Sequence, residues 1–275
     1  MDPIAINFHL YKPCDSRCTF CFATIRDVAG HLTLDDAMRL LDRLRDAGGE
    51  KLTFAGGEPT LHPHLGPLVE HAKSLGFVTS VVTSGSRLDV LLDHHARSID
   101  WVALSVDSAI ETVQRSLGRG RGDHVSRVRT LAARCHDERV RLKINTVVTA
   151  LNCDEDMRAL LLELRPVRWK AFQVLRVEGQ NDGRVEPLLI PRAAFAAFIA
   201  RHASLNDAGI TVVPEDNAAM EDSYVMVDPL GRFYGNHEGR HRVSASILDV
   251  GVRAALEQIG YSPAKFEARG GRYAW

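Results

Sequence analysis

No apolar run in the chain approaches the roughly 20 residues that a membrane helix needs. The opening, Met-Asp-Pro-Ile-Ala-Ile-Asn-Phe-His, is neither a signal peptide nor an amphipathic anchor. The expected compartment is therefore the cytoplasm, with no membrane partner. The sequence also lacks an excess of either charge: 34 Lys and Arg face 35 Asp and Glu, a formal net charge of −1. No global field gathers nucleic acid polymers, so any anionic ligand must be held by a local basic cluster. Cysteine is scarce as well. There are five, an odd number, and three crowd into eight residues, which argues against a disulfide framework and for a metal site. Cys135 and Cys153 stand apart and read as plain buried or half-buried thiols. Repeats, low-complexity tracts and flexible linkers are absent.

What remains is an ordinary globular composition, 45% hydrophobic and 25% charged over 275 residues, long enough to bury a sizeable core. Apolar runs predict strands over 4–8, 51–54, 77–82, 101–106, 140–148 and 169–175. Helices are expected between them. Thr33, with Asp36 as its capping-box partner, opens one that ends at Gly48-Gly49, and others are expected over 64–75, 124–135, 155–164 and from Pro191 to about 202. Six strands alternating with helices imply an α/β fold with a parallel sheet. The length suits a partial (β/α)6 barrel better than a full eightfold one, with the chemistry on the loops after the strands. This barrel is expected over 1–213. Residues 214–275 change pattern, with a hairpin over 224–227 and 232–234 and a helix over 247–258. They are read as an extension that covers the barrel mouth and contributes to the site.

Cys14, Cys18 and Cys21 give the spacing C-x3-C-x2-C on the loop after the first strand. Three thiolates on one short loop can ligate three irons of a [4Fe–4S] cubane and leave the fourth iron open. A zinc site completed by a ligand such as His9 is the competing reading, but structural zinc usually uses two paired half-sites and no second pair exists. Phe20 and Phe22 bracket Cys21 and are expected to shield the cluster.

Gly56-Gly57-Glu58-Pro59 follows the second strand, Thr83-Ser84-Gly85-Ser86 the third, and Ser105 with Asp107 the fourth. With the cysteines, this set resembles the radical S-adenosylmethionine (SAM) superfamily. In that superfamily the open iron binds SAM, and the Gly-Gly-Glu-Pro region meets its amino group.

Further stretches resemble one family of the superfamily, the viperins. They are Asn7-Phe8-His9, Gly118-Arg119-Gly120-Arg121-Gly122, Lys143-Ile144-Asn145, Pro166-Val167-Arg168-Trp169-Lys170, Asp222-Ser223-Tyr224, Ser246-Ile247-Leu248-Asp249-Val250-Gly251-Val252 and Arg269-Gly270-Gly271-Arg272-Tyr273-Ala274-Trp275. The similarity runs through the whole chain. It implies a lyase that converts a ribonucleoside triphosphate to its 3′-deoxy-3′,4′-didehydro analogue. A 5′-deoxyadenosyl radical removes H4′, the 3′-hydroxyl leaves as water, and one electron and one proton finish a chain-terminating product in antiviral defence. The resemblance implies SAM contacts at Phe20, Gly56, Gly57, Glu58, Thr83, Ser84, Ser105, Arg119 and Val174. It implies nucleotide contacts at Asn7, His9, Lys51, Lys143, Asn145, Arg168, Lys170, Tyr224, Asn236, Arg269, Gly270 and Arg272, with Tyr224 also helping to complete the reaction. An external one-electron reductant of flavodoxin or ferredoxin type is the implied partner.

The residues themselves point to an anionic substrate. Arg168 and Lys170 are two apart on a strand and so share a face, where their burial is expensive unless an anion pairs with them. Arg269 and Arg272 in the tail could close over the same phosphates. The sequence departs from vertebrate viperins in lacking their N-terminal amphipathic helix, in stopping at Trp275, and in reading Gly235-Asn236-His237-Glu238-Gly239-Arg240-His241 in the hairpin. It looks like the short prokaryotic form. CTP is the favoured substrate, with UTP and GTP in competition, and Asn236 and Glu238 offer acceptors for an exocyclic amine. Two other classes stay open: a radical SAM maturase acting on a peptide, and a non-enzymatic iron–sulfur electron carrier.

Overall fold

In the computed structural model, which describes residues 4–275, the first helix α1 (Leu34–Asp46) starts as its sequence requires. The Thr33 side chain accepts from the Asp36 amide and its hydroxyl donates to the Asp36 carboxylate. Ala37, Leu40, Leu41 and Leu44, spaced at three and four, form the buried face. Residues 1–3 of the opening read above lie outside the described residues.

The strands are β1 (Ala5–Tyr11), β2 (Lys51–Gly56), β3 (Val78–Thr83), β4 (Trp101–Ser105), β5 (Arg141–Val148), β6 (Arg168–Gln173), β7 (Thr211–Glu215), β8 (Val225–Val227), β9 (Arg232–His237) and β10 (Arg240–Ser246). They form one sheet in the order β10-β9-β8-β1-β2-β3-β4-β5-β6-β7. β1 to β7 are mutually parallel, and β8 pairs in parallel with β1. Between successive strands lie α2 (Leu65–Ser74), α3 (Leu88–His95), α4 (Glu111–Ser116), α5 (His124–Asp137), α6 (Arg158–Leu164) and α7 (Arg192–Arg201). Beyond β7 come α8 (Asn217–Met220), α9 (Ile247–Val250), α10 (Val252–Leu256) and α11 (Pro263–Ala268).

The expected partial barrel is present, with two strands and several helices that the sequence did not announce. β7 is short, carries Pro214 and sits at an edge, where a residue without an N–H is tolerated. β10, Arg-His-Arg-Val-Ser-Ala-Ser, is the other edge, and its charges suit an unpaired border. The expected division at Val213 falls inside β7, and the segment after it adds three strands to the same sheet. The helix expected over 247–258 is split at Gly251, whose φ of 85° breaks α9 from α10.

The period of two sorts the strands' side chains. Ile6, Phe8 and Leu10 of β1, Leu52 and Phe54 of β2, Val102 and Leu104 of β4, Leu142 and Ile144 of β5, and Trp169 and Ala171 of β6 join the large core with the helices. The opposite face looks into the barrel. Register places Asn7 beside Thr53 and Met226, Lys143 beside Ala103 and Arg168, and Lys170 beside Asn145 and Val213 on that inner face. The sheet curls until its far parts meet. Tyr224, just before β8, touches Glu215 of β7 and Lys170 of β6. The tail also covers one end of the barrel: Tyr273 hydrogen-bonds Lys51, the first residue of β2, and packs its ring 4.0 Å from the Arg168 guanidinium at the start of β6. That end holds the strands' N-termini, opposite the cysteine loop.

Candidate active site

The loop after β1 carries Cys14, Cys18 and Cys21 as free thiols, Cys14 exposed and the others half-buried. Two glycines let neighbouring backbone close around it. An added Cβ on Gly57 would collide with the carbonyl oxygens of Lys12 and Pro13, and one on Gly118, at φ 88°, with that of Arg17. The Arg17 amide donates to the Gly118 carbonyl at 2.8 Å, and the Thr19 amide to Leu117 at 3.2 Å. Burial pushes the thiols up, Cys14 to about 11 and Cys18 to about 12, with Cys21 also raised. Thiols so placed give up their protons to a metal rather than to solvent.

Among the described residues, no three His, Cys, Asp or Glu side chains converge on a single ion. Three thiols spread around one loop suit three separate irons of a cubane. Phe20 packs with Val174, Leu117, Val185 and Leu188 in a small apolar cluster that also contacts Cys18, so it does wall the loop. Phe22 is 37% exposed and turns toward His9 and His241 instead. Cys135 is buried in the main core and Cys153 packs against it, as plain thiols.

The residues expected at SAM gather beside this loop. Glu58, 1% exposed, braces the loop after β3: its carboxylate accepts from Thr60 Oγ1 at 2.7 Å, from Thr83 Oγ1, and from the Ser84 amide and hydroxyl at 2.8 and 2.7 Å. Glu58 is thus spent on Thr83 and Ser84, and these fix the rim that Gly56 and Gly57 continue. Ser105 lies on the inner face at the end of β4, and its carbonyl accepts from His124. Buried Arg119 pairs with Asp107 at 2.6 Å. Burial opposes its charge, yet Asp107 and the Cys18 thiol more than offset this and raise its pKa.

Below the rim, the inner face holds a cationic cluster. Lys51, Lys143, Arg168, Lys170 and Arg269 converge there around one fully buried carboxylate, Glu215. Sequence reasoning missed Glu215, which lies at the end of β7, an edge strand it did not foresee. Glu215 pairs with Lys170 and with Arg269, the latter at 3.1 Å, and burial that would raise its pKa is overcome by these cations, which lower it. Five cations against one carboxylate leave a buried excess of positive charge. Burial, with Lys170 and Arg168 nearby, depresses Lys51 to about 7; burial, despite Glu215, depresses Lys170 to about 8; Lys143 falls well below its ordinary value for the same reasons.

Aromatic faces stand in for anions. Lys51 Nζ lies 4.4 Å from the Tyr273 ring centre, 5.1 Å from Trp101 and 5.3 Å from Trp275, and the Arg269 guanidinium lies 3.8 Å from Tyr224. Lys143 makes no hydrogen bond or ion pair among the described residues. Gly270 offers its carbonyl to Arg168 at 3.3 Å. Arg272 does not join the cluster. It is half exposed and pairs with Glu50 and Glu267, because its side chain leaves the tail on the outer side.

Nine buried side-chain atoms among the described residues lack a hydrogen-bond partner. Seven of them, on His9, Trp101, Asn145, Arg168, Tyr234, Asn236 and His241, belong to the inner face of this one sheet. Folded proteins rarely leave such groups orphaned, so their concentration makes this face the candidate ligand face. Burial depresses His9 to about 3, helped by His241, and His241 itself to about 4, so both rings are neutral. Glu238 sits at an exposed turn with φ 50° and does not reach this face. No helix among the described residues is long and apolar enough to cross a membrane.

A model of the radical SAM superfamily matches residues 10–164. The chain is 42% identical, over 98% of its length and 96% of the relative's, to an S-adenosylmethionine-dependent nucleotide dehydratase of Flammeovirga pacifica. It is 38% identical, over 99% of its length and 81% of the relative's, to S-adenosylmethionine-dependent nucleotide dehydratase RSAD2 of Oncorhynchus mykiss. Among solved structures, anSMEcpe with bound AdoMet and Kp18Cys peptide superposes with a TM-score of 0.73 at 15% identity, covering 98% of this chain and 83% of that one. Streptococcus suis SuiB bound to S-adenosylmethionine gives 0.69 at 16%, covering 97% and 67%. These two likenesses concern the fold.

Proposed function

Because the chain belongs to the radical SAM superfamily and, within it, to the S-adenosylmethionine-dependent nucleotide dehydratases, as its resemblance to viperins implied, we propose that it converts a ribonucleoside triphosphate, CTP foremost, to the 3′-deoxy-3′,4′-didehydro analogue with loss of the 3′-hydroxyl as water. The observation that carries this reading is the buried cationic cluster of Lys51, Lys143, Arg168, Lys170 and Arg269, an excess that a triphosphate would neutralise. Its cofactors are a [4Fe–4S] cluster and SAM, which when bound supply a carbon-centred radical able to take a hydrogen atom. Cys14, Cys18 and Cys21 would hold the cluster. Glu58, through Thr83 and Ser84, and Arg119, through Asp107, would shape the SAM rim.

The remaining residues act on the nucleotide. The lysines and Arg168 anchor the phosphates at the strands' N-terminal end, and this directs the ribose toward the cysteine loop at the other end. Asn7 and Asn145 line the path between. Phe20 and Val174 keep water from the cluster side. Completion of the product takes one electron and one proton; Tyr224 holds a hydrogen atom at the edge of the phosphate site and is its proposed source, with an external one-electron reductant restoring it. Asn236 presents a buried, unpartnered Oδ1, an acceptor for the exocyclic amine that cytosine, guanine and adenine carry and uracil lacks, which counts against UTP. The alkene product would terminate RNA chains, which accords with antiviral defence.

Anaerobic incubation of reduced, cluster-loaded protein with SAM and each of the four ribonucleoside triphosphates tests the reading. 5′-Deoxyadenosine and a nucleotide lighter by one water should appear together. SAM cleavage stimulated by a peptide and by no triphosphate would favour the maturase alternative. No cleavage under any condition would favour an electron carrier.

A further inference from the structure

The loops at the cysteine end of the barrel leave apolar side chains uncovered. Ile110 lies between β4 and α4, Leu151 between β5 and α6, and Leu189 between β6 and α7, and all three are exposed. Backbone contacts hold these loops side by side. The Ala150 amide donates to the Leu188 carbonyl at 2.9 Å, and the Ala109 amide to the Glu155 carboxylate at 2.7 Å. Leu188, next to exposed Leu189, belongs with Phe20, Leu117, Val174 and Val185 to the small apolar cluster that packs on Cys18. Cys18 Sγ itself lies 3.9 Å from the Gly118 carbonyl oxygen. This surface is therefore the outer side of the wall that backs the cysteine loop.

Four arginines border it. Arg17 bonds through its amide to Gly118, Arg115 and Arg121 stand on either side of that glycine in the chain, and Arg184 precedes Val185. All four are exposed, and none makes an ion pair or a side-chain hydrogen bond among the described residues. Most carboxylates nearby are already engaged. Glu111 accepts from the amides of His124, Val125 and Ser126, Glu155 also accepts from Ser108, and Glu186 pairs with Arg176. Asp154 lies 3.9 Å from Arg201, and Asp15 accepts from Ser86 at 2.6 Å. The four arginines are left facing Asp123 and Asp182, a local excess of positive charge on a chain whose net charge is −1. Apolar side chains among arginines have the composition of a protein interface.

We propose that this surface docks an acidic one-electron carrier protein, and that Arg115, Arg121 and Arg184 steer it onto the Cys18 side of the cluster. Docking here rests on the cluster reading above and adds the place where each electron enters. A donor protein must come close to the cluster from outside the barrel, since the inner face is given to the small ligands. The outer side of the cysteine loop's wall meets that need. Electron-transfer encounters are small, under about 1,200 Å2, and transient. Complementary charge speeds them more than it tightens them, and makes them sensitive to salt.

The test uses cluster-loaded protein and two probes, an acidic flavodoxin and an acidic ferredoxin. Their binding is followed by interferometry, which needs no turnover. Arg115→Glu combined with Arg184→Glu should weaken binding of at least one carrier by roughly tenfold at low salt and flatten its salt dependence. Arg115→Gln combined with Arg184→Gln should fall between this variant and wild type. 5′-Deoxyadenosine formation driven by that carrier, below saturation, should fall in the same order. Formation driven by reduced methyl viologen, a small donor that needs no docking, should stay within about twofold of wild type, as should iron content. Should the Glu variant lose iron, the Gln variant decides on the same criteria. Carrier binding and carrier-driven rates equal to wild type overturn the docking surface. A parallel loss with methyl viologen also overturns it, because the arginines then serve the fold. Wild-type protein that binds neither carrier, yet cleaves SAM with methyl viologen, overturns it while leaving the dehydratase reading intact. No cleavage with any reductant overturns the cluster reading and this one with it.

Discussion

The Tyr224 hydroxyl donates to Glu215 and accepts from Lys170 Nζ at 3.0 Å, so one phenol bridges the buried carboxylate and a cation of the inner-face cluster. Burial, reinforced by the negative charge of Glu215, raises Tyr224 well above the ordinary phenol value, so its hydrogen is retained at working pH. A ligand that draws Lys170 and Arg269 onto its phosphates would change both partners of that hydroxyl at once.

Tyr224→Phe keeps the ring against Arg269 and removes only the hydroxyl. The variant is expected to bind SAM and nucleotide and still to form 5′-deoxyadenosine. Its didehydro-nucleotide yield per SAM cleaved should fall by roughly 10²-fold, the scale of a lost positioned proton donor. Chromatographic quantitation of both products decides, and a wild-type ratio rules Tyr224 out as the donor.

Glu215→Ala removes the one carboxylate that, among the described residues, pairs with both Lys170 and Arg269. Breaking such a buried pair costs about 3–5 kcal/mol. Ligand-free stability in urea should drop by that order, and saturating tripolyphosphate should recover most of it. A loss that tripolyphosphate does not touch would mean that Glu215 serves packing alone.

Lys143 is the cation with the least to lose, having no hydrogen bond or ion pair among the described residues. Lys143→Ala should weaken triphosphate binding by about 1.5–3 kcal/mol and leave SAM binding unaltered. Arg272→Ala, which only breaks half-exposed pairs with Glu50 and Glu267, should cost less than about 1 kcal/mol. Calorimetric titration of the two variants in parallel separates an inward cation from an outward one.

Lys51 at about 7 and Lys170 at about 8 are held below the ordinary lysine value chiefly by burial. An arriving anion raises both, so binding takes up protons and should tighten as pH falls from about 9 to about 7. Without ligand, the same depression costs folding stability in full below about 7. That cost is relieved as pH rises toward the ordinary lysine range, where the unfolded chain binds more protons than the folded one. Tripolyphosphate calorimetry in buffers of different ionisation enthalpy reads the uptake; zero net proton exchange at about pH 8 would contradict it.

Changing Cys14, Cys18 or Cys21 to Ala should abolish a reconstituted cluster of about four irons. Cys135→Ala should retain it, because that thiol lies in the core with the helices. Iron content and visible absorption measure both.

The parts of this site legible in the sequence were those written in short periods: the cysteine spacing, the turn after β2, and the alternation that sets Arg168 and Lys170 on one face. Glu215 was not legible. It follows Pro214 on a strand five residues long whose pairing partner, β6, lies some forty residues back. The aromatic lids on Lys51 were hidden for a similar reason, since Trp101 starts β4 and Tyr273 lies in the tail, and only the curl of the sheet joins them. Arg269 and Arg272 look equivalent around Gly270-Gly271, but the conformation of the tail sends one in and the other out.

The cysteine loop is tied to distant chain. Its backbone bonds to Leu117 and Gly118, the Phe20 carbonyl accepts from Asn181, and Thr24 donates to Gln180. Those anchors lie about 100 and 160 residues downstream of the thiols they hold. Such contacts form only after the intervening units have folded. The shape of the cysteine loop therefore depends on residues 117–118 and 180–181 as much as on its own sequence.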